Sequence, residues 1–267
     1  MRSVLITGAA GGMGRAAAEL LSKSGYRVFA LDLKECEPME NVIPISADVT
    51  SYESVFSAFQ KVRGMTDSLY AMIHFAGIYM LDSLVEMGEE DFSRIFRINV
   101  FGAFNVNKIF MPLLSRGSRI LITTSELAPL DPLPFTGIYA VSKSALDKYA
   151  YSLRMELQLL GIGVSVLRAG AVATDMLGVS TRALDRFTEK TKIYSCNAKK
   201  FKSIVDRVEA RCIPPEKIAR KCHSILKKKK ARFAYAVNRN PLLLLLSALP
   251  QGMQLWIIGK ILKNKGE

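Results

Sequence analysis

"SVLITGAAGGMGRAAAEL", residues 3–20, joins an apolar run of β type to a glycine-rich turn and then to a helical stretch. A strand that passes through such a turn into a helix is the opening of a βαβ unit. The turn also has a chemical reading. Gly8, Gly12, Met13 and Gly14 leave the backbone bare where a pyrophosphate would approach, at a helix N-terminus with free N–H groups. An ordinary tight turn explains the same glycines, so the next strand matters. It closes at Asp32, 18 positions after Gly14, where a carboxylate can accept hydrogen bonds from an adenosine ribose. The same charge repels a 2′-phosphate, and no basic residue stands at Gly11, so NAD is the expected cofactor and NADP the less favoured one. Asp48 and Val49, in "ADVT" after the third strand, fall beside the expected adenine. Capping of the following helix is an equal use for Asp48.

The pattern repeats outward. Apolar β-type runs at 3–7, 27–32, 42–46, 68–75, 119–124, 164–168 and 232–237 alternate with amphipathic stretches at 14–24, 52–62, 91–114 and 138–161. Continuous apolar strands separated by helices predict a parallel sheet buried on both faces. The expected fold is α/β: one doubly wound domain of about seven strands, a Rossmann fold, over 1–237. Residues 175–213 are charged and lack a strand, and are expected to be a helical insertion over the carboxyl edge of the sheet. Pro214-Pro215 then opens a last core helix.

The net charge of +13 is uneven: 1–180 carry −2, and 181–267 carry +15. The four cysteines, Cys36, Cys196, Cys212 and Cys222, have no metal-type spacing, and no metal is expected; they read as reduced, buried thiols. The chain enters its first strand without a signal-like segment, so a cytoplasmic location is expected. The basic third lacks interleaved aromatics, and no specific nucleic-acid partner is expected.

"YAVSKSALDKYA" places Tyr139 and Lys143 one helical turn apart on one face. A phenol with its ordinary pKa near ~10 is a poor proton carrier at neutral pH. An ammonium beside it favours the phenolate, as does the positive ring of an oxidised nicotinamide. Such a tyrosine can take a proton from an alcohol while hydride leaves the carbon.

Taken in order, the glycine loop, the acid closing the second strand, "INVFG", "ITTSELA" and the Tyr-x-x-x-Lys pair resemble the short-chain dehydrogenase/reductase family, in its hydroxysteroid-dehydrogenase-like branch. The resemblance implies that Tyr139 is the acid/base, that Lys143 holds the nicotinamide ribose, and that Ser125 polarises the substrate oxygen. It further implies that Asn99 anchors a water in a proton relay and that Thr174 bonds the carboxamide. Three departures stand out. The family's Asn-Asn-Ala-Gly is His74-Phe75-Ala76-Gly77 here, which keeps Ala76 and Gly77 for close cofactor approach and makes His74 an expected core histidine. Pro-Gly after strand six is Ala169-Gly170. Ser125 to Tyr139 spans one position more than usual, so a bulge is expected between them, with Thr124 as the substitute if it displaces Ser125.

The loops expected to wall the site are apolar: Ile78, Tyr79, Met80 and Leu81 after the fourth strand; Leu127, Pro129, Leu130, Leu133, Pro134 and Phe135 before Tyr139; Met176, Leu177 and Val179 after Thr174. Such a wall suits a large lipophilic alcohol or ketone, foremost a hydroxysteroid. The alternatives are a 3-oxoacyl-thioester reductase, a retinol or long-chain alcohol dehydrogenase, and a non-catalytic dinucleotide-sensing protein. A homo-oligomer, dimer or tetramer, is expected. "NPLLLLLSALPQGMQLWIIGKIL", 240–262, is too short and too interrupted to span a bilayer, which takes ~20 apolar residues. Asn240 and Pro241 read as an N-cap and N1 pair opening two short helices joined near Pro250, an extension over 238–267. These helices are expected either to cover the cleft or a neighbouring subunit, or, with Lys227–Lys230, Lys260 and Lys263, to make a peripheral contact with a membrane.

Overall fold

In the computed structural model, β1 (Arg2–Thr7) lies inside a seven-stranded, wholly parallel sheet. On one side of it run β2 (Tyr26–Asp32) and β3 (Val42–Ser46). On the other run β4 (Ala71–His74), β5 (Arg119–Thr123), β6 (Gly163–Ala169) and β7 (Ala234–Val237). The structure describes residues 1–209 and 211–263, without the side chains of 175–182, 208 and 209. The strand order β3-β2-β1-β4-β5-β6-β7 reverses direction between β1 and β4, which opens a crevice at the carboxyl ends of those two strands.

Successive side chains of a strand point to opposite faces, and here both faces are covered. Leu5, Phe29, Met72 and Ile120 face α2 (Tyr52–Arg63), α4 (Gly102–Phe110) and α5 (Gly137–Leu157). Val4, Ile6, Val28 and Ile73 face α1 (Gly12–Lys23) and a late helix over Pro215–Leu226. The sheet therefore carries no polar face, as its apolar runs predict. The expected strands all form, with β4 confined to four residues because Leu69 and Tyr70 hydrogen-bond to Leu113 and Ser3 as loops. The long helix expected over 91–114 is instead α3 (Glu89–Phe96), a π-helical turn (Arg97–Phe101) and α4.

The segment after β6 leaves the sheet at Val172 and returns beside it at Ile213, where the two pair. Between them α6 (Asp175–Lys190) and α7 (Ser195–Glu209) form a hairpin with its own small core of Leu184, Phe187, Ala198 and Phe201. After the return come α8 (Pro215–Leu226), opened by Pro215, then β7, α9 (Pro241–Ser247) and α10 (Gln251–Leu262). Asn240 caps α9 as expected, its side chain accepting from the Leu242 N–H at 2.9 Å. Among the described residues no helix is long and apolar enough to cross a membrane. Cys36 and Cys222 are buried, whereas Cys196 and Cys212 are exposed, contrary to the expectation of four buried thiols.

His74 ends β4 inside the core, its Nε2 2.9 Å from Asn107 Oδ1, and Asn107 Nδ2 donates to the Tyr149 hydroxyl at 3.1 Å. Burial outweighs the Asn107 bond and pulls its pKa down to about 4. The folded chain thus holds His74 neutral while the unfolded chain binds a proton below about 6.5. Stability is full above that pH and falls as the pH drops toward 4, by about 3 kcal/mol at most. Urea unfolding at pH 7.5 and at pH 4.5 should show this loss, and His74→Asn should remove most of it. An unchanged pH dependence in that variant would rule His74 out as its source.

Candidate active site

The crevice between β1 and β4 is narrow because glycine backbones line it. Gly8, which follows β1 with φ at 69°, lies where an added Cβ would stand 2.5 Å from the Ala76 N–H nitrogen after β4. A Cβ on Gly14 would collide with the Gly8 carbonyl oxygen, and one on Gly12 would stand 2.7 Å from Thr174 Cγ2. The first turn of α1 has Gly11 as its N-cap, no side-chain cap and no acidic residue, so its N–H groups stay open to an anion. Asp32 at the end of β2 accepts from the Ala10 N–H at 3.0 Å and from the Lys34 N–H at 2.9 Å, which fixes the carboxylate beside the loop. Val49 packs on Gly102. Asp48 holds Thr50 through its N–H and hydroxyl, while the cap of α2 is Ser51, accepting from the Ser54 N–H. Helix capping is therefore not the use of Asp48. An anion cradle with a carboxylate fixed at the end of β2 fits a nicotinamide dinucleotide.

At the far end of this cleft a cavity of about 200 Å³ runs under α7 and α9. Its polar end is formed by Ser125, Tyr139 and Lys143, together with Gly77 and Thr174. Tyr139 and Lys143 sit one turn apart on α5, both buried. The Ser125 hydroxyl hydrogen-bonds the Tyr139 phenol, so the longer span to Tyr139 does not displace Ser125. Thr124 turns away instead, donating to Asp147 at 3.1 Å. The residue in this span that takes the left-handed backbone is Phe135, with φ at 63°.

Lys143 Nζ lies 5.8 Å from the Tyr139 ring centroid and donates to the Thr123 carbonyl at 3.4 Å. Asn99 stands in the π-helical turn, where its side chain bonds both the N–H and the carbonyl of Ile78 and donates to Ser142 on α5. It ties the loop after β4 to the helix that carries Tyr139 and Lys143. Burial dominates the acidities. It pushes Tyr139 up to about 12, against the lowering effect of the Ser125 bond, and brings Lys143 down to about 8. Sequence reasoning has the ammonium lowering the phenol, but in this buried pair desolvation outweighs any such effect and disfavours the charged form of each group.

The cavity wall is apolar, and the sequence places part of it: Ile78, Tyr79, Leu127 and Leu133 line it as expected, joined by Phe201, Ile204, Val205 and Leu243. Met80 packs instead beside Ile95, Ile138 and Tyr139. Phe135 is outside the wall and anchors the hairpin above it, its ring 4.7 Å from Phe187 and 5.4 Å from Phe201. The side chains of Met176, Leu177 and Val179 lie outside the described residues. The contributions of α7 and α9 have no motif to announce them, since apolar residues on a helix read equally as core.

Two further groups escape sequence reasoning. Arg168 of β6 grips Asp147 of α5 through Nε and Nη2 at 3.1 and 2.7 Å, locking the helix of Tyr139 to the sheet. Glu126, next to Ser125, lines the cavity, and its Oε2 accepts from the Asn240 N–H at 2.6 Å, where α9 begins. Burial raises its pKa. The C-terminal helices are thus latched to the site itself. Glu126→Ala leaves a backbone N–H without its acceptor, a loss of about 1–3 kcal/mol. Amide exchange across 240–249 should rise roughly tenfold or more in that variant; exchange no faster than in the parent would mean the latch contributes nothing.

A family model described as short chain dehydrogenase matches residues 2–185. An NADPH-dependent 1-acyldihydroxyacetone phosphate reductase of Schizosaccharomyces pombe is 32% identical over 67% of this chain and 64% of its own length. A 3-ketodihydrosphingosine reductase of Bacteroides thetaiotaomicron is 26% identical over 88% of this chain and 87% of its own. An estradiol 17-beta-dehydrogenase 2 of mouse is 30% identical over 66% of this chain and 50% of its own. The chain thus spans half to two thirds of the yeast and mouse relatives and most of the bacterial one. The glycine cradle, the acid closing β2 and the buried tyrosine–lysine pair all fall within the matched region, and the chain belongs to the short-chain dehydrogenase family.

Proposed function

We propose that this protein interconverts a secondary alcohol and a ketone on a large lipophilic substrate, with NAD preferred as the hydride carrier. The observation that carries the proposal is the buried Ser125–Tyr139–Lys143 group at the polar end of an apolar cavity continuous with the glycine cradle. The dinucleotide supplies the hydride acceptor or donor. Gly8, Gly12, Met13 and Gly14 would hold its pyrophosphate, Asp32 its ribose, Asp48 and Val49 its adenine. Ala76, Gly77 and Thr174 would flank the nicotinamide end, and Lys143 its ribose.

Ser125 and Tyr139 then meet the substrate oxygen together. Oxidation needs the phenolate form, which burial disfavours and a nearby positive charge favours. Tyr139 takes the alcohol proton, and Ser125 steadies the oxygen as it becomes a carbonyl. Asn99 holds the Ile78 loop and α5 in register, leaving the relay water assigned to it by the resemblance as part of this proposal.

Hydroxysteroids lead the substrate list. The names of the relatives describe keto or hydroxyl chemistry on a steroid, an acyl ester and a sphingoid base, which agrees with a lipophilic class rather than with one member. Purified protein should be assayed with NADH, NADPH and their oxidised forms against steroids, 3-ketosphinganine, long-chain alcohols, acetoacetyl thioesters and sugars. Turnover of sugars alone would defeat the proposal. A homo-oligomer remains part of the reading, supported by Phe101, Phe104, Tyr151 and Met155, which expose apolar surface on and beside α4 and α5.

A further inference from the structure

The C-terminal helices turn apolar residues to water as well as to the protein. On α10 the inward residues are Gln254, Ile258 and Leu262, and the buried Gln254 donates to Asp131 and to the Leu249 carbonyl. Its outward residues include Leu255 and Trp256, which are 72% and 65% exposed, and Ile261. α9 is apolar on both sides: Leu242 and Leu245 stand out in solvent, while Leu243 lines the cavity. An exposed apolar face of this extent marks a surface that something covers.

The local charge says what covers it. Residues 240–263 contain Lys260 and Lys263 and no acidic residue. Lys260 lies 5.6 Å from the Trp256 ring, at the border of the apolar face. From α7, which packs on α10, Lys200 donates to the Lys263 carbonyl and Lys199 stands exposed nearby. Lys227–Lys230, grouped with these lysines in the sequence expectation, lie apart from them. Arg119 at the start of β5 bonds the Lys228 carbonyl, which puts that run at the opposite edge of the sheet from Glu126 and Asn240.

We propose that α9 and α10 dock flat on an anionic lipid bilayer, with Leu242, Leu245, Leu255 and Trp256 at headgroup depth and the lysines on the lipid phosphates. The helices are too short to cross it. Because α9 presents Leu243 to the cavity from its other side, the docked helix separates the lipid from the site by one residue layer. Delivery of substrate by that route rests on the lipophilic reading above; docking does not.

Trp256 is the sole tryptophan, so its emission reports this face without interference. Vesicles of phosphatidylcholine with and without phosphatidylglycerol are mixed with the full chain and floated. The expected result is a blue shift of Trp256 emission and co-flotation with the anionic vesicles, both weakened by high salt. Leu245→Glu with Leu255→Glu should lower partitioning at least tenfold while NADH binding and turnover of a short, water-soluble ketone stay unchanged. No shift and no flotation with anionic vesicles would overturn the proposal. So would a concentration-dependent dimer that shields Trp256 without lipid, because the occupant would then be a second copy. Loss of turnover on every substrate, with flotation intact, would count against the proposed activity and not against docking.

Discussion

Tyr139→Phe is expected to lower kcat about 10³-fold or more while leaving the NADH dissociation constant within about threefold. The two halves of this expectation have different origins. The tyrosine ring is held by packing, 4.5 Å from the Tyr79 ring and against Ile95 and Ile138, and phenylalanine keeps all of that. Only the hydroxyl is lost, and with it the Ser125 bond and the group placed to exchange a proton with the substrate oxygen. Lys143 keeps its Thr123 contact on the other side, so the cofactor end of the pocket is undisturbed. Burial also fixes a pH signature. With Tyr139 pushed to about 12 in the ligand-free chain, its phenolate absorbance should not appear near neutral pH. Oxidised cofactor should bring ionisation to lower pH, since a nearby positive charge favours the phenolate. A Tyr139→Phe variant retaining a tenth of the parent kcat would remove Tyr139 from the chemistry, whatever its absorbance does.

Those residues were legible in the sequence because their chemistry dictates local spacing. Gly8, Gly12 and Gly14 are confined to one turn by the close approach of backbone, and Tyr139 and Lys143 are confined to one helical turn. The sheet was legible for a related reason: strands buried on both faces have few ways to be written. The cavity wall was legible only in its loops, at Ile78, Tyr79, Leu127 and Leu133, because the rest is assembled from contacts distant in sequence. Phe201 and Leu243 meet above Tyr139 only after the α6–α7 hairpin folds over the sheet and α9 follows it. Phe135 illustrates the ambiguity, since an apolar residue in a loop near the site serves equally as wall or as anchor, and here it anchors. Glu126 was missed because a glutamate after a serine has no spacing rule; its partner, the Asn240 N–H, lies 114 positions away. The acidities were misjudged in the same way. Pair spacing is local, whereas the desolvation that controls Tyr139 and Lys143 depends on everything packed around them.

Asp32→Asn is expected to move the preference between NADPH and NADH by about 100-fold or more toward NADPH. The carboxylate is held by the Ala10 and Lys34 N–H groups at 3.0 and 2.9 Å, and an asparagine oxygen can accept from the same Ala10 donor. The substitution therefore removes the charge with little change of shape. Two opposed effects follow. Hydrogen bonds from a ribose to a carboxylate weaken when the acceptor becomes neutral, by about 1 kcal/mol each, which costs NADH affinity. Repulsion of a 2′-phosphate disappears, and for unit charges ~4 Å apart at an effective dielectric near 20 that is worth about 4 kcal/mol before salt screening. The second effect is larger, so NADPH gains more than NADH loses. The yeast relative is named for NADPH, which makes the cofactor ratio of the present chain the quantity to measure. Measuring kcat/KM for both cofactors in parent and variant at low and at high salt separates charge from shape. A parent that already prefers NADPH, or a variant whose ratio moves less than about fivefold, would show that the Asp32 charge does not set the preference.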